Sequence, residues 1–286
     1  MTTTSDRQSL IMAIKNLPLL SKNNIRIINT VNNPDVDVDE LVAVLSSCPV
    51  LVARLLGLAN SSYFGWTTPI TDLKVAIIQV LGLNLVKSLA LSIALNIEFD
   101  TKACPEFDTE FYWNFILTQA FLAQKLASKS PDESLSATRV YSTALMTEIG
   151  ILAAVFVWPE EMNAVFSTCE KNLDCINEQI KLRFGMNYHG LGYLLLCSWH
   201  LPEMYSEPLK YLASDAAETE EAMLVLLLRL GRKLTQRLFA GEIEDLTPYS
   251  QELERFSWTE QSFSEVLQDI EMRKAEIQEL AAIIMG

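Results

Sequence analysis

Residues 48–65 read CPVLVARLLGLANSSYFG, a mostly apolar run with a proline as its second residue and with polar residues and a glycine near its end. Pro49 suits the first turn of a helix, because an amide proton there has no helical acceptor to lose. Asn60 and Ser61 are typical of a helix end followed by a turn. The stretch therefore predicts a short helix that ends in a packed turn, and the rest of the chain extends this pattern.

Helix signals continue on both sides of this stretch. Ser5 with Gln8 and Asp37 with Glu40 have the capping-box spacing, in which side chains satisfy free amides at a helix start. We find no series of alternating strands bounded by turn pairs. The sequence therefore predicts an all-α fold, with five or more short helices in residues 5–98 and later helices over residues 111–128, 136–158, 172–184, 188–199 and 215–239.

Residues 100–109 interrupt the apolar periodicity with Pro105 and several charges, which is typical of a boundary. A chain of 286 residues is long enough for two packed helical lobes. We predict an N-terminal lobe over residues 1–99, a second lobe over 100–240 and a C-terminal helical extension over 241–286. Ser257 with Glu260 predicts the capping box that opens a long terminal helix in this extension.

The predicted terminal helix carries an apolar stripe whose spacing of three, four and seven indicates one buried face. That face packs on this chain or, as the alternative, on a second copy, so that a homo-oligomer through the C-terminal helix stays open. The stripe consists of Phe263, Val266, Leu267, Ile270, Ile277, Leu280 and Ile284.

The chain is acidic, with 22 Lys and Arg against 36 Asp and Glu and a formal charge of −14. Its average field repels phosphate backbones and anionic lipid headgroups, so we expect neither nucleic acid nor a membrane as partner. The apolar region 73–99 contains Lys74 and Lys87, and it predicts a buried helix pair divided near Gly82 rather than a membrane span. The main basic cluster has helical spacing and predicts a solvated face: Arg229, Arg232, Lys233 and Arg237.

The five cysteines are odd in number and scattered, without a CxxC pair that would indicate zinc or redox chemistry: Cys48, Cys104, Cys169, Cys175 and Cys197. We expect them to be reduced core residues. The N-terminal residues 1–8 are polar and lack the apolar segment of a secretion signal. Both observations predict a cytoplasmic protein.

Only two histidines are present, His189 and His200, and they lie eleven residues apart. One helix cannot bring them to a single ion, so an imidazole-rich metal cluster is excluded. No phosphate-binding loop or nucleophile elbow is found. The residues predict no cofactor and no catalytic residue.

The run 48–65 resembles the signature of the HDOD family, the HD-related output domains of bacterial signalling proteins. Flanking elements occur in the family's order, among them Leu17-Pro18, Leu81-Gly82 and residues 145–150 and 189–202. The resemblance covers about residues 10–240. It implies a two-lobed helical fold whose second lobe is similar to the HD domain, a helical bundle that in HD and HD-GYP phosphohydrolases holds divalent metals.

The resemblance also implies where the HD metal ligands would lie in this chain. In Trp113-Asn114-Phe115 a histidine position holds Phe115, and the histidine-aspartate pair is replaced by Thr147 and Glu148. His189 matches a histidine that the family frequently keeps.

Two further histidine positions hold Leu212 and Ala213. Glu148 and His189 supply at most two ligands, which leaves most of a cation's coordination to water. The six positions therefore predict a degenerate HD lobe without a metal centre, in which Glu148 and His189 form a buried carboxylate-imidazole hydrogen bond instead.

The leading hypothesis is a non-catalytic HDOD signalling module that acts through a protein partner, with Asn60, Ser61 and Tyr63 as its interaction surface. A structural role of the same three residues is the alternative. The rival function is a divergent metal-dependent phosphohydrolase that acts on a nucleotide or cyclic dinucleotide. A third hypothesis is a small ligand in the former metal pocket, contacted by Thr147, Glu148 and His189.

Overall fold

A computed structural model describes residues 19–33, 35–61, 64–96, 99–214, 221–242 and 247–285. Across these residues the secondary structure is helical and contains no strand. The all-α prediction is confirmed. Ser5, Gln8, Leu17, Pro18 and Tyr63 lie outside the described residues.

By its internal contacts the chain divides into two units, one of residues 18–99 with 276–286 and one with residues 100–275. Asp100 is thus the first residue after the smaller unit's main segment. The predicted extension 241–286 is divided between the two units. The smaller unit contains the helices α1 Lys22–Asn32, α2 Val38–Leu45, α3 Pro49–Ala59, α4 Leu73–Leu81 and α5 Leu83–Asn96.

The helices of the smaller unit begin and end where the sequence signals lie. Asp37 accepts a hydrogen bond from the amide of Glu40 over 2.7 Å, and Pro49 is the first residue of α3. Gly82, at φ 78°, separates α4 from α5, which meet at a bend of 120°. An L side chain rarely adopts this φ, so glycine suits the corner.

The larger unit has α6 at its centre, packed against α7, α13 and α15, while α11 packs against α8 and α12. Its helices are α6 Thr109–Lys129, α7 Ala137–Ala144, α8 Ile149–Val157, α9 Pro159–Cys169, α10 Leu173–Phe184, α11 Tyr188–Ser198, α12 Glu203–Leu212, α13 Ala222–Ala240, α14 Ser250–Arg255 and α15 Glu260–Met272. A last helix, α16 Lys274–Met285, follows and lies mostly in the smaller unit.

Three predicted helix bounds are wrong. The predicted helix 136–158 is broken at residues 145–148, so that Thr147 and Glu148 lie in a turn between α7 and α8. The long terminal helix is broken between α15 and α16, at Arg273. Its capping box is formed by Thr259 and Ser262 rather than by Ser257 and Glu260, because Ser257 lies in a turn before the helix at φ 55°.

The seven residues of the C-terminal stripe are each at most 6% exposed. The expectation that this face packs within the chain is confirmed. On the smaller unit, Arg54 of α3 donates hydrogen bonds to the carbonyl oxygens of Ile284 and Met285 and thereby holds the end of α16.

The expectation of five reduced core cysteines is wrong for three of them. Cys169 at the end of α9 is disulfide-bonded to Cys175 in the first turn of α10, since the short turn between the two helices brings their Cα atoms to 5.5 Å. Cys197 is exposed, whereas Cys104 is buried.

By length and composition alone, the segment Ala137–Val157 could cross a membrane, and two bent helix pairs raise the number of such segments to three. Within the protein, 89% of the apolar window in Ala137–Val157 is buried. Burial in the core of the larger unit accounts for its apolar composition.

Candidate functional site

Six positions correspond to HD metal ligands that the sequence has replaced or kept only in part. Five of them line one cavity of about 530 Å³ in the larger unit. Thr147 and Glu148 reach it from the turn before α8, and His189 reaches it from the first turn of α11. Leu212 and Ala213 line it at the end of α12. The degenerate positions are therefore neighbours in space, and we call this cavity the HD cavity.

Phe115, the sixth position, lines a different cavity of about 490 Å³. Its ring lies 5.8 Å from the ring of Phe111 and 5.6 Å from that of Phe239, and it is 2% exposed. Glu148 lines both cavities. An aromatic cluster thus occupies the place of this histidine position.

The local backbone fixes His189 against the turn that carries Glu148. Asn187 caps α11 by accepting a hydrogen bond from the amide of Gly190 over 3.0 Å. Its amide group also donates to the carbonyl oxygen of Ala213 over 3.1 Å. One side chain therefore ties the start of α11 to the end of α12.

Glu148 and His189 meet at the bottom of the HD cavity, with His189 Nε2 3.6 Å from Glu148 Oε2. This distance is too long for the predicted hydrogen bond. Burial, together with the smaller effect of the charges of Arg232 and Arg229, lowers the pKa of His189 to about 3. The imidazole is neutral near pH 7, so the two groups are in contact without forming an ion pair.

Burial raises the pKa of Glu148 to about 6. The positive charge of Arg232 opposes this shift, as do the polar groups of Tyr188 and Gln119 to a smaller degree. Burial alone would lower the pKa of Arg232, but Tyr188, Glu148 and Asp174 outweigh it and raise that pKa. A guanidinium group therefore supplies the positive charge that faces Glu148.

Arg232 and Gln119 are site residues that the sequence did not identify. Arg232 Nη2 lies 2.6 Å from Asp174 Oδ1, and Gln119 Nε2 donates to Thr147 Oγ1 over 2.5 Å. Arg229, Lys233 and Arg237 line the same cavity. The prediction of a solvated face agrees with the exposed Lys233, whereas Arg229, Arg232 and Arg237 are partly buried. The signal that could have found them is a basic cluster in an acidic chain.

These residues do not fit the two-metal centre of an HD phosphohydrolase. Thr147 Oγ1 already donates to the carbonyl oxygen of Ala144 over 2.7 Å, and Leu212 and Ala213 offer no donor atom. In the described part of the chain, no group of three or more His, Cys, Asp and Glu could hold a metal ion. A carboxylate and one imidazole beside a guanidinium group supply neither the ligand number nor the charge that a divalent cation requires.

In the smaller unit, the side chain of Asn60 forms hydrogen bonds with backbone groups of the fold. Its Nδ2 donates to the carbonyl oxygens of Leu56 and Ile70 over 2.7 and 2.8 Å, and its Oδ1 accepts from the amide of Ile70 over 2.7 Å. Asn60 thus closes the turn between α3 and the segment before α4. Ser61 is partly buried beside it.

Every described segment of the chain contains helices. The cavity formed by the degenerate HD positions lacks a set of metal-binding donor atoms. These two features define a degenerate domain of the HD-like all-α class. The chain belongs to the HDOD domain family, which matches residues 17–214. This confirms the resemblance drawn from residues 48–65 and makes the protein a member of a signalling-domain family.

The chain is also similar to a curated bacterial protein. An uncharacterized protein of Treponema pallidum (strain Nichols) is 25% identical over 255 residues, which are 87% of this chain and 47% of the relative. The chain thus spans about half the length of this curated relative.

Solved structures show the same fold. A Marinobacter aquaeolei VT8 protein, named for signal transduction, is 24% identical with a TM-score of 0.82, over 99% of this chain and 66% of that one. A Shewanella amazonensis SB2B protein, named as a phosphohydrolase, is 19% identical with a TM-score of 0.76, over 96% and 98%. An HDOD domain protein of Geobacter sulfurreducens is 20% identical with a TM-score of 0.72, over 96% and 97%.

Proposed function

We propose that the protein is a non-catalytic HDOD signalling module that passes its signal on through a protein partner. The observation that carries the proposal is the composition of the HD cavity. Hydrolysis of a phosphoester by HD enzymes requires a metal-bound hydroxide. In this cavity the metal ions would need ligands, but the side chains present include the neutral imidazole of His189 and the guanidinium group of Arg232. Leu212 and Ala213 line the cavity with aliphatic groups only.

The two histidines allow a direct test against the rival phosphohydrolase function. The protein is purified without chelator, its metal content is measured, and hydrolysis of a cyclic dinucleotide is assayed with added Mn²⁺. We expect far less than one ion per chain and no hydrolysis. Stoichiometric manganese or iron that is lost in His189→Ala and kept in His200→Ala, together with hydrolysis, would establish the rival function.

The smaller unit supports the partner-binding part of the proposal. Asn60 holds the turn that precedes Trp66, and Trp66 is 44% exposed. Val50 and Ile78 of the same unit are 48% and 60% exposed. Exposed aromatic and aliphatic side chains are frequent at protein interfaces. We propose that the turn around Asn60 and Ser61, extended to Trp66, contacts the partner.

This surface is tested by gel filtration and by pull-down from a bacterial lysate with wild type, Trp66→Ala and the control Leu182→Ala. Leu182 is 75% exposed on the larger unit. We expect one protein to be retained by wild type and by the Leu182 variant and lost with the Trp66 variant. A strict monomer that retains nothing contradicts the proposal.

We further propose that the protein works in the cytoplasm, as the polar N-terminal residues 1–8 suggest, although the disulfide between Cys169 and Cys175 removes the support that reduced cysteines would have given. We also propose that neither nucleic acid nor a membrane is its partner, because a net charge of −14 repels phosphate groups and anionic lipids. A homo-oligomer through the C-terminal stripe has less support, because a second copy would have to displace the chain's own packing there.

A further inference from the structure

The HD cavity has an excess of positive side chains although the protein as a whole is acidic. Five of its described lining residues are Lys or Arg, and three are Asp or Glu. The acids are Glu148, Asp174 and Glu178. The basic residues come from α10 and α13, and they are Lys181, Arg229, Arg232, Lys233 and Arg237.

Two of the arginines are held in place by the backbone around the cavity. Arg229 donates to the carbonyl oxygens of Tyr211 and Ser214 over 3.0 and 2.8 Å. Arg237 donates to the carbonyl oxygen of Glu242 over 2.6 Å and to the Tyr249 hydroxyl over 3.0 Å. Their charges are therefore fixed beside the cavity at little further cost in side-chain entropy.

Several buried polar atoms of the lining residues have no hydrogen-bond partner in the described structure. They are Arg232 Nη1, His189 Nδ1, Gln119 Oε1, Gln236 Oε1 and both carboxylate oxygens of Glu148, and the side chain of His189 is 7% exposed. Buried polar groups in proteins are nearly always hydrogen-bonded. These donors and acceptors fit a polar ligand in the cavity.

We propose that the HD cavity binds a small phosphate-bearing anion, with Arg232 and Lys181 as phosphate contacts. A guanidinium group forms paired, charge-assisted hydrogen bonds with phosphate oxygens. Several fixed positive charges favour a doubly charged phosphate over a single carboxylate. The volume of about 530 Å³ lies within the range of about 300–1,000 Å³ of small-molecule sites. The protein would then sense a metabolite where its enzymatic relatives hold metal ions.

Glu148 is the buried acid that opposes an anion in this cavity; it is 1% exposed, and the positive charge of Arg232 offsets its charge in part. The anion would approach Arg232 from the side of Lys181, which is exposed on α10. Asp174 already occupies Arg232 Nη2, which leaves Nη1 for the ligand.

Isothermal titration calorimetry of the full chain at low ionic strength tests the proposal with three probes: inorganic phosphate, adenosine 5′-monophosphate and adenosine. We expect both phosphate compounds to bind in competition with each other and adenosine to give no heat. The variant Arg232→Gln should weaken binding at least about tenfold, because it removes a charge-assisted hydrogen bond. The exposed Lys181→Gln should weaken it about threefold.

Arg139→Gln is the matched control, because Arg139 also bridges a carboxylate, with Arg139 Nη2 2.8 Å from Glu221 Oε1, and lies outside the cavity. Its side chain is 21% exposed, against 23% for Arg232. Binding should be unchanged in this variant. If Arg232→Gln fails to fold, Lys181→Gln and Arg139→Gln decide the question.

The proposal is overturned by any of three results. These are no heat from either phosphate compound at millimolar concentration, equal affinity in the cavity variants and the Arg139 control, or adenosine binding as tightly as its monophosphate. None of these results bears on partner binding by the smaller unit.

Discussion

Gly150 in the first turn of α8 lies directly against the carbonyl oxygen of Tyr188 in α11. A Cβ atom on Gly150 would overlap this oxygen and would lie 2.7 Å from the amide nitrogen of Gly192. The two helices therefore meet backbone to backbone. This contact holds the turn with Glu148 next to the helix with His189.

We predict that Gly150→Ala lowers the free energy of unfolding of the larger unit by about 3 kcal/mol or more, because the added methyl group meets rigid backbone. Gly231→Ala is the control in the same unit, since a Cβ there makes ordinary contact at 3.4 Å with Ala123. Urea denaturation of both variants measures the effect. Equal stability of the two variants would contradict the close approach.

A second prediction concerns the turn that Asn60 closes. Asn60→Ala removes three hydrogen bonds with Leu56 and Ile70, so it should lower the stability of the smaller unit by about 2–3 kcal/mol. The amide of Ile70 should exchange its hydrogen much faster in this variant. Asn60→Asp keeps the acceptor for that amide and should keep most of the protection. Unchanged exchange in Asn60→Ala would show that the turn does not depend on this side chain.

The sequence predicted the helical class and the corner at Gly82, and five of its six degenerate HD positions line the HD cavity. It missed the break between α7 and α8, because residues 145–148 contain neither proline nor glycine. Tertiary contacts make this turn, since Gly150 must fit against Tyr188. The predicted helices also leave out α9 and α12, although Pro159 is the first residue of α9 and Pro202 directly precedes α12, and proline is common at a helix start.

The role of Arg232 could not be predicted because its helical spacing is that of a solvated face. Arg232 is distinguished by its contacts in the fold. It donates a hydrogen bond to Asp174, which lies 58 residues away in the sequence, and the buried Glu148 lies in the same cavity. Periodicity within one helix contains no information about either. Similarly, Cys169 and Cys175 have no recognised motif spacing, and only the turn between α9 and α10 brings them together.

A third prediction concerns the bond between Cys169 and Cys175. Alkylation of the denatured protein without reductant should modify three cysteines, and five after reduction, as counted by mass spectrometry. The double variant Cys169→Ser, Cys175→Ser should lose about 2 kcal/mol of stability, the amount expected for closing so short a loop. Cys197→Ser is the control, because this thiol is exposed and free. Five modified cysteines without reductant would rule the disulfide out.

The pH dependence of stability contains opposite contributions from Glu148 and His189. Unfolded histidine binds a proton below a pKa of 6.5, whereas folded His189 does so only below about 3. The contribution of His189 to the free energy of unfolding is therefore fully present above pH 6.5 and is lost as the pH falls to about 3. Glu148 has a folded pKa of about 6 against 4.5 when unfolded, so its contribution is present below pH 4.5 and is lost as the pH rises to 6.

From these opposite signs we predict two distinct variant profiles. Relative to His189→Gln, the wild-type protein should lose stability as the pH falls from 6.5 towards 3, by about 1.4 kcal/mol per pH unit at the steepest part. Relative to Glu148→Gln, it should lose stability as the pH rises from 4.5 to 6. Urea denaturation at several pH values between 4 and 7.5 measures both differences, with the exposed His200→Gln as control. Parallel curves for wild type and His189→Gln across this range would contradict the lowered pKa of His189, because an exposed imidazole gives no such difference.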